Sequence, residues 1–431
     1  MKKNRTIYFL LALVCLGLQS CLFQEEDYFD DSSANRATAD VKRCSELLEA
    51  APNGWVMEYY VGKDYSLGGI TLLCKFDGQR VTMASQIAGA DETVSSLYSV
   101  KSEQATMLSF DTYNYLVHYF GQPQGSMADD PNGTLGGDYE FVISDATADR
   151  IELKGKKYGN RIVMKAFSAD QTWKQYLTRI KKVEDDAFFY EYDLRMDGLY
   201  TGQMLRSNYT FIVTYYDEVG KVHQKTVPFM FTTDGMRFHE PVTIDGQTMQ
   251  NFVWKNEEIS FVCTDEGATE VKLAGVYTAG YQSYDYYPGT YQMDFYRLND
   301  ATNQMEVASQ EIQLVKDEDG KSYWLKGLEY DILVTYDKPR GGLSILPQFL
   351  KKVQGGYVYL AMWDLMNDYV LRSSAIGLIS YPTTDGIYLV DNGVWMDEIS
   401  GFIFGVYDSQ DEEASFMGYT DAVAAIRLIK K

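Results

Sequence analysis

Trp55, Met57, Tyr59 and Val61 alternate with Val56, Glu58 and Tyr60, and the same period of two returns in Ile70, Leu72, Cys74 and Phe76 before Asp77-Gly78. That period puts the apolar set on one face of a pleated strand, and Asp-Gly after it marks a tight reversal. The segment predicts antiparallel strands with one buried face. Residues 81–83, 107–110, 115–120, 139–143, 151–153 and 162–164 extend the meander, the last two joined by a turn at Lys157-Tyr158-Gly159-Asn160. Thirty-five tyrosines among 431 residues, with abundant Val, Ile, Thr and Phe, fit the same state. The expected fold class is mainly β, built of antiparallel meander, sandwich or barrel modules with a few flanking helices.

A chain of this length exceeds what one core usually holds, so two or three domains are expected. Val41, Cys44, Leu47, Leu48 and Ala51 recur at helical spacing and Pro52-Asn53-Gly54 ends the pattern, which predicts a helix over 34–51. Trp173, Tyr176, Leu177 and Ile180 mark a second helix, again followed by strands. The echo of Phe76-Asp77-Gly78 in Thr233-Asp234-Gly235 is compatible with duplication or with common hairpin chemistry. A third block has hairpin signals at Asp319-Gly320, Asp385-Gly386 and Asn392-Gly393, and its residues 420–428 read as a closing helix or strand. The expected division is a signal over 1–20, an acidic tether over 21–33, a helix plus β module over 34–168, a second over 169–270, and a C-terminal β sandwich or barrel over 271–431.

The N-terminus addresses location. Lys2, Lys3 and Arg5 precede an apolar run at 7–18, and Leu18-Gln19-Ser20 leads to Cys21. Twelve apolar residues fall short of the roughly 20 that span a bilayer, so the run reads as a signal segment. The small residue before Cys21 suits lipoprotein cleavage, whereas Val14 before Cys15 does not. Acylation of Cys21 would tie the chain to outer-membrane lipid, since two or three acyl chains hold stably where one is marginal. Glu25, Glu26, Asp27, Asp30 and Asp31 follow, either as an extended solvated tether or as a signal for export to the outer surface.

The formal net charge is -22, and loss of residues 1–20 would remove three cations and no acid. A nucleic-acid partner is not expected, because phosphates would be repelled and no basic stripe opposes the total. Beyond the signal only Cys44, Cys74 and Cys263 remain, with no framework or metal-ligand spacing, and they are expected to be small buried hydrophobes. His118, His223 and His239 lie far apart, so neither a metal site nor a cofactor is expected.

Asn53-Gly54-Trp55 with Tyr59-Tyr60, the stretch at 108–114 with His118, Asp138-Tyr139-Glu140-Phe141, and the run from Leu153 to Lys157 resemble domain of unknown function 4302 over roughly residues 25–270. The resemblance implies a Bacteroidetes lipoprotein, and a gene neighbourhood of outer-membrane uptake proteins for glycans or peptides. It assigns no chemistry to His118.

Three segments could carry binding. Residues 121–137 hold five glycines and two prolines, with Asp129, Asp130 and Asn132 as oxygen donors whose spacing departs from a calcium loop. Tyr277, Tyr281, Tyr284, Tyr286, Tyr287 and Tyr291 form a tyrosine-rich stretch; Tyr284 and Tyr286 on one strand face could stack on sugars, or the set could pack within a sheet. Trp363-Asp364 and Trp395-Met396-Asp397-Glu398 combine aromatic and carboxylate types, as a glycan site or a carboxylate-dependent hydrolase requires. Tyr281, Tyr284, Tyr286, Tyr287, Trp363 and Trp395 are therefore the expected ligand-contacting residues. No catalytic residue is assigned. The favoured expectation is a non-enzymatic surface lipoprotein for nutrient capture, with a hydrolase or an adhesin as alternatives.

Overall fold

The computed structural model describes residues 32–123, 133–217, 219–299, 301–302, 304–411 and 413–431. Cys21, the acidic tether and the oxygen-rich part of the 121–137 loop lie outside these residues.

The first helix, α1 (Ser33–Ala50), begins where the Ser32 hydroxyl accepts from the Asn35 N–H. It buries Cys44 and Leu48 against the interior of a closed barrel. That barrel runs through β1 (Trp55–Val61), β2 (Gly68–Asp77), β3 (Arg80–Ser85), β4 (Val94–Ser102), β5 (Thr106–Phe110), β6 (Glu140–Ala146), β7 (Arg150–Gly155) and β8 (Arg161–Ala166). Closure pairs Trp55 with Ala166 and Met57 with Met164. Every strand has two partners, so the barrel has no free edge. Trp55, Tyr59, Phe110 and Phe141 fill its interior, and the Trp55 indole donates to the Leu48 carbonyl of α1 at 2.8 Å.

One expected strand is a helix. Residues 115–120 contain α2 (Tyr115–His118), because the Asn114 side chain accepts from the Leu116 N–H and starts a turn that the apolar alternation does not reveal.

The second unit repeats the plan. Helix α3 (Trp173–Asp186) opens with a capping box between Thr172 and Gln175 and buries Leu177, Ile180 and Val183. A closed barrel follows: β9 (Glu191–Met196), β10 (Leu199–Ser207), β11 (Thr210–Tyr216), β12 (Val222–Phe231), β13 (Gly235–Ile244), β14 (Gln247–Lys255), β15 (Ser260–Cys263) and β16 (Lys272–Val276). Because β16 pairs with β9, with Leu273 opposite Leu194, this barrel passes the boundary expected at 270 and ends at Val276. The Asp-Gly echo falls between the second and third strands of one barrel but between the fourth and fifth of the other. It is hairpin chemistry at non-equivalent positions.

The third unit comprises β17 (Gly289–Asn299), β18 (Gln304–Lys316), β19 (Ser322–Lys326), β20 (Ile332–Asp337), β21 (Gly342–Ile345), β22 (Gln348–Val353), β23 (Gly356–Asp364), β24 (Tyr369–Leu371), β25 (Leu378–Thr383), β26 (Gly386–Asp391), β27 (Gly401–Tyr407) and β28 (Phe416–Lys430). Residues 420–428 thus belong to a strand. Asn392-Gly393 is not a hairpin; Asn392 instead anchors a loop by donating to the Gly377 and Ala375 carbonyls.

Strand β28 organises the unit. One edge pairs with β17, while the other pairs with β26 at Leu428 and Arg427 and switches to β27 at Ala424. Ala425 makes the switch at φ 49°, donating to the Ser400 carbonyl instead of to the ladder. Strands β17 to β21, β25, β26 and β28 consequently close a ring, and β27, β23 and β22 form an arm from it. Val358, Leu360, Phe402 and Phe404 on one face of the arm join the core of the ring. The opposite face buries Ala361, Trp363 and Ile403 in a smaller cluster with Ala422 and Ala424 and is open beyond it.

The barrels are joined by built contacts. Between the first and second, Arg237 reaches Glu58 at 2.6 Å and Lys165 reaches it at 2.8 Å, while His239 lies between the rings of Tyr60 and Tyr65. Gly68 is required here: its φ is +74°, and a Cβ would sit 2.0 Å from the Tyr209 carbonyl oxygen. Phe188, Tyr277 and Tyr281 connect the second barrel to the third.

Candidate functional site

The tyrosine-rich stretch is packing. Tyr284 and Tyr286 occupy a turn before β17 and do not share a strand face. Tyr281 stacks on Phe188 at 6.1 Å and its ring is spent on the junction between barrels. Tyr284 stacks on Tyr323 at 4.7 Å and donates to the Ser322 carbonyl. Tyr287 is fully buried and donates to the Gly341 carbonyl, so it offers no face to a ligand. Tyr286 keeps an exposed edge, packed crosswise on Tyr287 and overlain by the Lys430 ammonium. Tyr284, Tyr287 and Tyr291 suit this place because each supplies a large apolar ring with a hydroxyl that donates to a carbonyl at the core's edge.

The tryptophan–carboxylate pair also has a structural task. Trp363 is buried, packing on Ala361, Ile403, Ala422 and Ala424. Asp364 is buried too, and accepts from the Met366 and Asn367 N–H groups, the Asn367 amide and the Trp395 indole. The Asn367 amide is the main reason its carboxyl is held below the usual range, and the backbone donors and the indole act the same way. Trp395 clamps the turn after β23. Asp397 and Glu398 are exposed.

The buried carboxylates that burial pushes upward are Asp138 and Asp421. They lie in different barrels and are separately engaged, Asp138 by the Lys157 and Tyr158 N–H groups and Asp421 by Arg297 at 2.9 Å. His118 stacks on Tyr139 at 4.6 Å, and burial lowers its pKa. Among the described residues, no three His, Cys, Asp or Glu side chains gather as a metal site.

The barrel interiors are filled, so a ligand must be met outside them. The arm provides such a place. Along β23 the aliphatic Val358, Leu360 and Met362 face the core of the ring; on the other face Ala361 and Trp363 are buried in a second cluster, and Tyr357 and Tyr359 are left half-buried at the surface. Register then assembles an aromatic row: Phe349 lies opposite Tyr359, Tyr359 opposite Gly405, and Tyr407 opposite Phe416. Successive ring centroids are 5.4 Å apart from Phe349 to Tyr359, 5.7 Å to Tyr407 and 5.5 Å to Phe416. Gly405 makes room in the floor, since a Cβ there would lie 2.9 Å from the Tyr407 ring and 3.2 Å from that of Phe416.

This row floors a groove of about 740 Å³. Phe349 and Phe416 are 45% and 44% exposed at its ends, while Tyr407 is buried as a bed. The Arg372 guanidinium lies over both tyrosines, 4.8 Å from the Tyr359 centroid and 4.2 Å from that of Tyr407, and donates to the Asp411 carbonyl at 2.5 Å. Burial pushes the Tyr407 hydroxyl upward, and the nearby Arg372 charge opposes it. Gln410, Ser373 and Ser374 add polar edges. Large exposed rings with a few placed polar groups are the usual composition of a ligand site. Sequence reasoning missed this row because its rings come from strands dozens of residues apart; the only local signal was the aromatic–aliphatic alternation of residues 357–360.

The molecule is thus an all-β protein of three barrels in tandem, with an aromatic groove on an arm of the third. The model of a domain of unknown function (DUF4302) matches residues 25–256, and the chain belongs to that family. A second domain of unknown function (DUF4987) matches residues 264–397. Both matches end inside a barrel, the first before β15 and the second before β27. No curated protein matches the chain. Among solved structures, a protein of unknown function of the DUF3598 family from Nostoc punctiforme is similar at 8% identity and a TM-score of 0.15, over 57% of this chain and 98% of its own. Intact Ap-TbpB, with its N and C lobes, is similar at 11% identity and 0.14, over 84% and 67%. A mutant of the vaccine antigen transferrin binding protein B from Haemophilus parasuis is similar at 13% identity and 0.11, over 85% and 67%. At these scores the similarities carry no functional argument.

Proposed function

We propose that this protein is a lipid-anchored, non-enzymatic binding protein of the outer membrane, facing the cell exterior, that captures a nutrient ligand, glycan or peptide, for outer-membrane uptake proteins. The groove over Phe349, Tyr359, Tyr407 and Phe416 carries the reading, because it sets exposed aromatic rings beside polar edges. The signal pattern ending at Cys21 supports the anchoring half of the reading, and the acidic run behind it supports the exterior face.

Cell fractionation tests the anchor. The full chain should enter the outer-membrane fraction, incorporate labelled palmitate and be removed from intact cells by external protease. Cys21→Ser should lose the label. Retention of label in that variant, or protection from protease unless cells are broken, would overturn the corresponding half of the proposal.

A further inference from the structure

We infer that the groove of the third barrel takes a neutral saccharide chain, an assignment of ligand class that rests on the binding function proposed above. Phe349 and Phe416 stand exposed at the two ends of the row, and the Arg372 guanidinium lies over the two tyrosines between them. Neighbouring rings of the row are inclined to one another by 59–86°, so it offers separate ring surfaces at its two ends, which suit a chain of rings whose faces are apolar C–H and whose rims are hydroxyl. The guanidinium is held by its tyrosines and by the Asp411 carbonyl, so it has little side-chain freedom to lose on binding. The hydroxyls of Ser373 and Ser374 offer hydrogen bonds to the rims of such rings.

Charge argues for a neutral ligand. Lys351 and Lys352 stand on the β22 side and Asp408, Asp411 and Glu413 on the hairpin side, with Arg372 between. Neither sign dominates the rim, so no local field attracts a polyanion, and the charge of the whole chain opposes one. Backbone geometry argues against a peptide. Extended peptides are usually captured by adding a strand to a free sheet edge. The aromatic row runs across the face of β22, β23, β27 and β28 and not along the open edge of β22, the last strand of the arm, so a ligand seated on the row meets side chains and no main-chain ladder.

The test uses the full chain in detergent micelles and native electrophoresis through gels containing dextran, mannan or xyloglucan as neutral polymers, polygalacturonate as the acidic one, and a labelled casein hydrolysate in a separate binding assay. At least one neutral polymer should retard the protein, and Phe349→Ala and Phe416→Ala should each weaken that retardation tenfold or more. Tyr286→Ala, altering an exposed ring away from the groove, should leave it unchanged. Circular dichroism of each variant guards against misfolding, and Phe349→Tyr, which keeps a ring, should retain binding. Preference for polygalacturonate or for peptides, lost in Phe349→Ala, would overturn the neutral-saccharide assignment and leave the binding function standing. Binding that Phe349→Ala and Phe416→Ala leave intact would overturn the groove as the site. The absence of binding to every probe would overturn both.

Discussion

Arg237 of the second barrel donates to Glu58 of the first at 2.6 Å, with both side chains three-quarters or more buried. Burial alone would raise the Glu58 carboxyl, but the Arg237 charge and hydrogen bond, with Lys165, hold it below the usual range. Breaking a buried pair by removing one partner leaves a desolvated charge and costs about 3–5 kcal/mol. Arg237→Ala should therefore lower the stability of the two-barrel unit by about 3 kcal/mol, read as a shift in denaturant midpoint. Glu58→Leu with Arg237→Met should recover much of that loss. A double variant no more stable than Arg237→Ala would show that the pair contributes more than the charge it neutralises.

The same junction predicts a pH dependence. Burial lowers the pKa of His239, with Arg237 acting the same way and Glu58 and Glu240 opposing, and burial also lowers that of His118. The unfolded chain takes up these protons near pH 6.5, before the folded chain does. Their contribution is fully present above about pH 6.5 and is lost as pH falls below it. Glu58 adds a separate loss below about pH 4.5, where its unfolded counterpart is protonated. The denaturant midpoint should fall on acidification in two windows, and His239→Phe should flatten the upper one. An unchanged slope near pH 6.5 in that variant would remove His239 from the account.

The motifs most legible in the sequence proved to be those that lock the first barrel. Trp55 ties α1 to β1, the Tyr59 hydroxyl donates to the Asp138 carbonyl, and the Asp138 carboxylate receives the N–H groups of Lys157 and Tyr158. Gly155 is part of this lock, since a Cβ there would lie 2.0 Å from an Asp138 carboxylate oxygen. Such positions serve the fold, so they speak of architecture and not of ligand. Strand alternation was readable wherever one face is buried. Barrel closure was not, because pairing Trp55 with Ala166 joins residues that no local pattern relates. The tyrosine-rich stretch misled for a related reason: tyrosine suits a core edge and a sugar platform equally, and only the positions of Tyr323, Tyr336 and Gly341 decide between them.

Asp364 should behave as a structural residue. Its buried carboxylate satisfies four part-buried donors of the turn after β23 and of Trp395, and removing a shared acceptor costs about 1–3 kcal/mol where the donors are kept from water. Asp364→Ala should destabilise the third barrel by about 2 kcal/mol or more. Asp364→Asn should be milder, because its amide oxygen can still accept. Saccharide retardation by the folded fraction should be unchanged in both. A variant that folded normally yet lost binding would instead assign Asp364 to the ligand.

Gly405 separates the demands of the groove from those of the fold. It sits on the outward face of β27, away from the core that Phe402 and Phe404 fill, and its missing side chain lets the Tyr407 and Phe416 rings lie over the floor. A methyl group at 2.9 Å from one ring and 3.2 Å from the other must push both aside. Both contacts are with side chains, and Phe416 is exposed enough to swing, so Gly405→Ala should change the denaturant midpoint by no more than about 1 kcal/mol in stability terms. Retardation by a neutral polymer should nevertheless weaken several-fold, because Tyr407 carries Arg372 and the middle of the row would move with it. Gly405→Val, with two further methyl groups, should weaken it more. Unimpaired retardation in both variants would mean that the floor of the groove is not where the polymer lies.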